Sequence, residues 1–172
     1  AFGVAHRAHA STEGVARILP SAAGLLMARE LEMLGHTLES PARPFAAILG
    51  GAKVSDKLAV LESLAGRVDT LIVGGGMAAT FLKAQGFEIG DSLVEDDRVD
   101  SAASLIEKAR SGGPDLLLPV DVVVADSFSE AAAHRTVGAS EIPTGWRIMD
   151  VGPRSTELFV KALEPSNTVV WN

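Results

Sequence analysis

Two lysines, Lys53 and Lys57, follow a pair of glycines in the run Ile48-Leu49-Gly50-Gly51-Ala52-Lys53-Val54-Ser55-Asp56-Lys57. An apolar strand that ends in glycines and opens a helix is how open α/β sheets hold ligands beyond the carboxyl ends of their strands. Gly50 and Gly51 permit close backbone approach and φ values that other residues avoid. The helix that follows would offer unpaired N–H groups and a positive dipole end to an anion. Lys53 and Lys57, four apart, are expected on one face of that helix. Two ammonium groups aimed at one point suit a polyanion, and in phosphoryl transfer they stabilise charge developing on the transferring oxygens. A glycine turn with two solvated lysines would read the same, so this segment alone leaves both readings open.

A second strand ends in glycines at Val73-Gly74-Gly75-Gly76-Met77. Bare backbone there could lie flat against a planar ring, or could serve tight strand-to-helix packing. Two such turns in one sheet, one cationic and one bare, favour a nucleotide crevice over what either suggests alone. No G-x-x-x-x-G-K-[ST] run exists, and no G-x-G-x-x-G opens a βαβ unit, so standard P-loop and dinucleotide folds are disfavoured. A third cluster is His6-Arg7-Ala8-His9 with Ser11 and Thr12. Arg7 can fork onto a phosphate or carboxylate and His6 can add a donor. Two histidines three apart lack a third ligand, so no metal site is expected.

The elements that must position these groups read as follows. Leu19-Pro20-Ser21 signals a helix start, and apolar residues at Ala22, Leu25, Leu26, Leu31, Leu34 and Leu38 keep helical period until Ser40-Pro41-Ala42-Arg43-Pro44. Strands are expected at 45–49, 70–73, 116–118, 121–125 and 168–171, with helices at 55–65, 77–85, 98–110 and 155–163. Short apolar strands alternating with helices predict an α/β fold: a parallel, Rossmann-like sheet with helices on both faces in three layers. The chain opens on Ala1-Phe2-Gly3 and closes on Thr168-Val169-Val170-Trp171-Asn172. Both ends read as cuts through structure, so an incomplete sheet is expected, with open edges that invite self-association.

Composition narrows the function classes. A chain of 172 residues, 47% hydrophobic and 22% charged, is globular rather than disordered. A formal charge of −7 makes nucleic acid an unfavourable partner, so phosphates must be held locally. The absence of cysteine excludes disulfides, thiol catalysis and Cys-based zinc sites. No apolar run has the length of a membrane span, and the cytoplasm is the expected compartment.

Read in order, these blocks resemble the phosphoglycerate kinase family along essentially the whole chain. The resemblance runs from Ala1-Phe2-Gly3-Val4-Ala5-His6-Arg7-Ala8-His9-Ala10-Ser11 through Leu19-Pro20-Ser21-Ala22-Ala23-Gly24 and Arg43-Pro44-Phe45 to the Gly50–Lys57 block. It continues in Gly74-Gly75-Gly76-Met77-Ala78, Leu118-Pro119-Val120-Asp121, Ile142-Pro143, Gly145-Trp146, Asp150-Val151-Gly152-Pro153 and Val169-Val170-Trp171-Asn172. The resemblance implies a two-domain kinase passing a phosphoryl group between 1,3-bisphosphoglycerate and ADP, with Mg2+ carried by the nucleotide. By the same resemblance, Arg7 and His6 would hold the 3-phosphate of the phosphoglycerate. Lys53 would contact the transferring phosphoryl group and Lys57 the α-phosphate. Gly51 and Ala52 would line the phosphate path, Gly75 and Gly76 would lie against adenine, Leu93 would pack nearby, and Asn172 would stand close to the phosphates. Asp56 would fix the lysines rather than do chemistry.

The resemblance divides the chain into the tail of a substrate domain (1–20), an inter-domain helix (21–39) and the first part of a nucleotide domain (40–172). It has one local departure: the family's Gly-Trp-x-Gly-Leu-Asp stands here as Gly145-Trp146-Arg147-Ile148-Met149-Asp150, with Ile148 at the second glycine. Ile148 would either crowd the adenine or add an apolar contact to it. Most of the family's substrate domain is absent, as are its later Glu and Asp loops, so the 172-residue chain alone is expected to be inactive. The alternatives are a partial nucleotide-binding module and a complementation fragment. The family is usually monomeric.

Overall fold

The computed structural model describes residues 8–172, which divide into two compact units between Ala42 and Arg43. In the first, a π-helical turn at Ala10–Gly14 precedes helix α1 (Leu25–Glu39). The helix starts later than Ser21. Ser21 turns its hydroxyl back onto the Leu19 carbonyl, 2.9 Å away, and Gly24 is the extended residue from whose carbonyl the helix begins.

The second unit is built on strands β1 (Phe45–Leu49), β2 (Thr70–Val73), β3 (Asp115–Leu117) and β7 (Thr168–Trp171), all parallel, in the order β3-β2-β1-β7. Helices α2 (Leu58–Ala65), α3 (Met77–Ala84), α4 (Val99–Arg110) and α5 (Pro153–Leu163) flank it. Successive strand residues face opposite sides, yet Phe45, Ala46, Ala47 and Leu49 are all fully buried. A central strand apolar on both sides must be covered on both sides, as the sequence predicts for a parallel sheet.

Between β3 and α5 lies a second sheet of strands β4 (Asp121–Ala125), β5 (His134–Gly138) and β6 (Arg147–Val151), antiparallel in the order β5-β4-β6. The sequence reading placed 121–125 among the parallel strands and left the other two unidentified. Both are short, none of their residues is buried, and neither carries a long apolar run. Their core is made instead by Val122 and Val124 of β4 packing with Leu82, Ile89, Ala139 and Ile142.

The second sheet is tied to α5 by a buried carboxylate of β4. Asp121 is 2% exposed, and its carboxylate accepts the N–H groups of Ser155 at 2.7 Å and Arg154 at 3.1 Å. The Ser155 hydroxyl lies 2.6 Å from the same carboxylate and accepts the N–H groups of Val120 and Asp121. Gly152, the residue before α5, has no side chain to cap the helix, and a Cβ there would fall 2.3–2.6 Å from the Asp121 carboxyl atoms. Asp121 therefore caps α5 from a distance. Burial pushes its carboxyl up, but the Ser155 and Arg154 donors prevail and hold it below the usual carboxylate range.

Among the described residues, no helix is long and apolar enough to cross a membrane.

Candidate functional site

The strand order puts β2 and β3 on one side of β1 and β7 on the other, so the sheet changes direction between β1 and β7. Ligands of open α/β sheets bind beyond the carboxyl ends at such a point. The chain is tightly tied there. Asn172, just past β7, donates its N–H to Ile48 at 2.9 Å and receives the Gly50 N–H on its carbonyl at 3.0 Å. One strand further on, the Gly74 N–H donates to Leu49 at 2.9 Å.

The two glycine turns meet at this edge and interlock. Gly75 has φ +63°, and a Cβ on it would lie 2.9 Å from the Gly51 nitrogen and 3.2 Å from its oxygen. At Gly76 a Cβ would come within 3.2 Å of Ala52 Cα. Gly51 itself has φ +134°, in the region that favours glycine, and its carbonyl accepts the Met77 N–H at the start of α3. Close packing of bare backbone is thus realised between one turn and the other. It fixes the first turn relative to α3.

Lys57 crosses over this junction. Its Cε and Nζ lie 3.5 and 3.7 Å from where a Gly51 Cβ would stand, and its ammonium donates to Asn172 Oδ1. Helix α2 does not begin at Ser55, so the two lysines do not share a helical face. Lys57 stands at the N-cap position, and the exposed Lys53 lies in the loop before it. The reason is local. Ser55 gives both its N–H (3.0 Å) and its hydroxyl (2.5 Å) to the Glu95 carboxylate, and the Lys57 N–H closes a turn on the fully buried Val54.

Glu95 went unnoticed in the sequence, where it is one acid among many, 40 residues from Ser55. It belongs to a short strap, 92–95, braced on three sides. Ser92 Oγ accepts the Ile148 N–H at 2.9 Å, Thr80 Oγ1 accepts the Glu95 N–H at 3.2 Å, and the Glu95 carboxylate holds Ser55. The Ser55 hydroxyl and N–H hold the Glu95 carboxyl below its ordinary range against the opposing effect of burial, with lesser help from the Val54 N–H and the Lys53 charge.

The remaining predicted residues fall as follows. Leu93 lies within the strap and is 57% exposed. Ile148 is half-buried in β6 and packs against the Leu82–Val122–Val124 cluster, beside an irregularity in the β4–β6 register at Val123/Val124. Asp56 is exposed, and no hydrogen bond or ion pair joins it to either lysine among the described residues; Lys57 is bonded to Asn172. His6 and Arg7 lie outside the described residues. Among those described, no group of three or more His, Asp or Glu side chains could hold a metal ion. The lysines and the Asn172 amide are groups that suit phosphate oxygens.

The sequence model of the phosphoglycerate kinase family matches residues 1–172. Phosphoglycerate kinase of Pelotomaculum thermopropionicum is 59% identical over 172 residues, covering all of this chain and 44% of its own. The cytosolic phosphoglycerate kinase of Nicotiana tabacum is 56% identical over 173 residues, all of this chain and 43% of its own. The structure of phosphoglycerate kinase from Coxiella burnetii superposes with a TM-score of 0.87 at 46% identity, over 99% of this chain and 44% of that one. The chain thus spans less than half the length of the relatives it matches. It belongs to the phosphoglycerate kinase family.

Proposed function

We propose that residues 43–172 supply the nucleotide-binding, phosphoryl-transferring part of a phosphoglycerate kinase. The reaction is reversible transfer between 1,3-bisphosphoglycerate and ADP, giving 3-phosphoglycerate and ATP in glycolysis. The observation that carries this reading is the convergence of Lys57, Asn172 and the interlocked turns Gly51 and Gly75 at the point where the parallel sheet changes direction. A polyphosphate seated there would meet the Lys57 ammonium and the Asn172 amide, with the exposed Lys53 free to reach its terminal phosphoryl group. Holding those charges fixed before the reaction is the protein's main contribution in phosphoryl transfer. Gly75, Gly76 and Leu93 are proposed to line the adenine side, and His6 and Arg7 to hold the 3-phosphate. Residues 1–20 belong to the substrate domain on this reading, and the compartment is the cytosol, as the name of the tobacco relative suggests.

The 172-residue chain alone is proposed to bind nucleotide without turnover. The test is thermal unfolding with and without Mg-ADP, beside the Lys53→Ala, Lys57→Ala double variant. Ligand at one hundred times its dissociation constant stabilises a folded binder by about 2.7 kcal/mol, a shift of several degrees. A shift that the double variant abolishes supports the site. No shift at millimolar Mg-ADP overturns it.

A further inference from the structure

We propose that Glu95 is a positioning residue for the lysine loop: through Ser55, its carboxylate sets where Lys53 and Lys57 stand. The inference rests on the functional reading above and adds to it a residue from outside both glycine turns.

The loop from Gly50 to Lys57 has few anchors of its own. Its start is tied to Asn172, Gly51 bonds to the first residue of α3, and Val54 is buried. Between Val54 and the beginning of α2, Ser55 and Asp56 are exposed, and Lys53 on the other side is exposed as well. A stretch of this kind, with solvated backbone on both sides of one apolar anchor, opens locally at little cost.

Glu95 closes it. Two bonds from one carboxylate to one residue, at 3.0 Å from the N–H and 2.5 Å from the hydroxyl, fix both the backbone and the side chain of Ser55. Bonds to an ionised acceptor are roughly twice as strong as neutral ones. The holding residue is itself held, because the Glu95 N–H donates to Thr80 Oγ1 and Thr80 is 1% exposed on α3. The same helix begins at Met77, whose N–H fixes Gly51. The loop is therefore referenced to α3 at two points, Gly51 and Ser55, and Lys53 lies between them. A cation whose distance to the transferring oxygens must be right before the reaction gains from such double reference, since displacement by about 1 Å can cost on the order of a hundredfold in rate.

Glu95 also adds a negative charge beside Lys53, whose positive charge helps keep the carboxyl ionised. A carboxylate free to swing would pair with the lysine and withdraw it from a phosphate. With both oxygens engaged by Ser55, Glu95 steers Lys53 without capturing it.

The test uses a complete kinase, in which residues 1–172 replace the matched segment of the Pelotomaculum thermopropionicum relative. Glu95→Ala, Ser55→Ala, the double variant and Glu95→Gln are compared for amide hydrogen exchange at 53–57 and for kinetics. In Glu95→Ala, protection of the Ser55 amide should be lost while β1 and β2 keep theirs. The turnover number should fall about tenfold or more, with KM for 3-phosphoglycerate within about twofold. The double variant should be no slower than Glu95→Ala alone, because both substitutions remove one interaction. Glu95→Gln keeps one acceptor oxygen and should fall between Glu95→Ala and the parent.

Unchanged exchange and turnover in Glu95→Ala overturn the proposal. Exchange that rises equally in β1 and β2 also overturns it, since Glu95 is then a support of the whole unit. Additive losses in the double variant do the same. A parent chimera that folds but has no kinase activity would sink the functional reading instead, and the exchange comparison would still decide whether Glu95 holds the loop.

Discussion

Helices α2 and α5 each follow a strand that is closed by glycine, yet their N-termini are treated in opposite ways. At α5 the first N–H groups are taken by the buried Asp121 carboxylate, Ser155 completes the network, and a Cβ at Gly152 would strike it. At α2 the N-cap is Lys57, no side chain caps the helix, and a positive charge stands where a negative one would be favourable. The helix whose end is satisfied internally holds the fold together. On the proposed function, the one left electrostatically unsatisfied would receive an anion from solution.

The largest expected effect lies on the closed side. Asp121→Ala should leave the N–H groups of Arg154 and Ser155 without their buried acceptor, at a cost of about 3 kcal/mol seen as a lower midpoint in urea. An equal loss on Lys57→Ala would break the comparison. The expectation for Lys57→Ala is a change within about 0.5 kcal/mol in the absence of ligand, because Lys57 is a partly exposed side chain.

Next comes the junction of the turns. Gly75→Ala places a Cβ 2.9 Å from the Gly51 nitrogen at a φ of +63°, and should destabilise the unit by about 1–3 kcal/mol while also weakening Mg-ADP binding. Loss of stability with binding intact would mean that the interlock is structural only.

The smallest effect is acid sensitivity. Asp121 and Glu95 both titrate below their ordinary range in the folded protein. A depressed carboxyl contributes stability that is fully present above its unfolded value, near 4, and is lost as pH falls through the folded one. Urea midpoints should therefore hold from about pH 7 to pH 5 and decline below about pH 4. Asp121→Asn should flatten that decline more than Glu95→Gln does, since Asp121 lies in the buried network.

The sequence was legible where local pattern and structure coincide. Phe45–Leu49, Thr70–Val73 and Thr168–Trp171 are apolar runs closed by glycine or by the chain's own polar residue, and they became strands at the expected positions. Both glycine turns were readable for the same reason. What escaped was decided by distant partners. Ser55 reads as a helix start, but Glu95 takes its donors, and α2 begins at Leu58. The antiparallel strands His134–Gly138 and Arg147–Val151 owe their pairing to β4 rather than to their own residues. Asp121 looked like the first residue of a strand, and its work as the cap of α5 becomes visible only once Ser155, 34 residues later, is beside it.

The bond from Lys57 to Asn172 spans 115 residues. Long-range contacts of this kind make closure of the intervening chain the slow step in folding. During synthesis at about 5–20 residues per second, the lysine loop would wait roughly ten seconds after its own emergence for the strand that completes it. In that interval β1 has one edge without its neighbour, a surface on which another strand can pair. The lysine loop thus matures only after β7 has docked, and variants that slow that docking should reduce the yield of folded protein before they alter the affinity of what has folded.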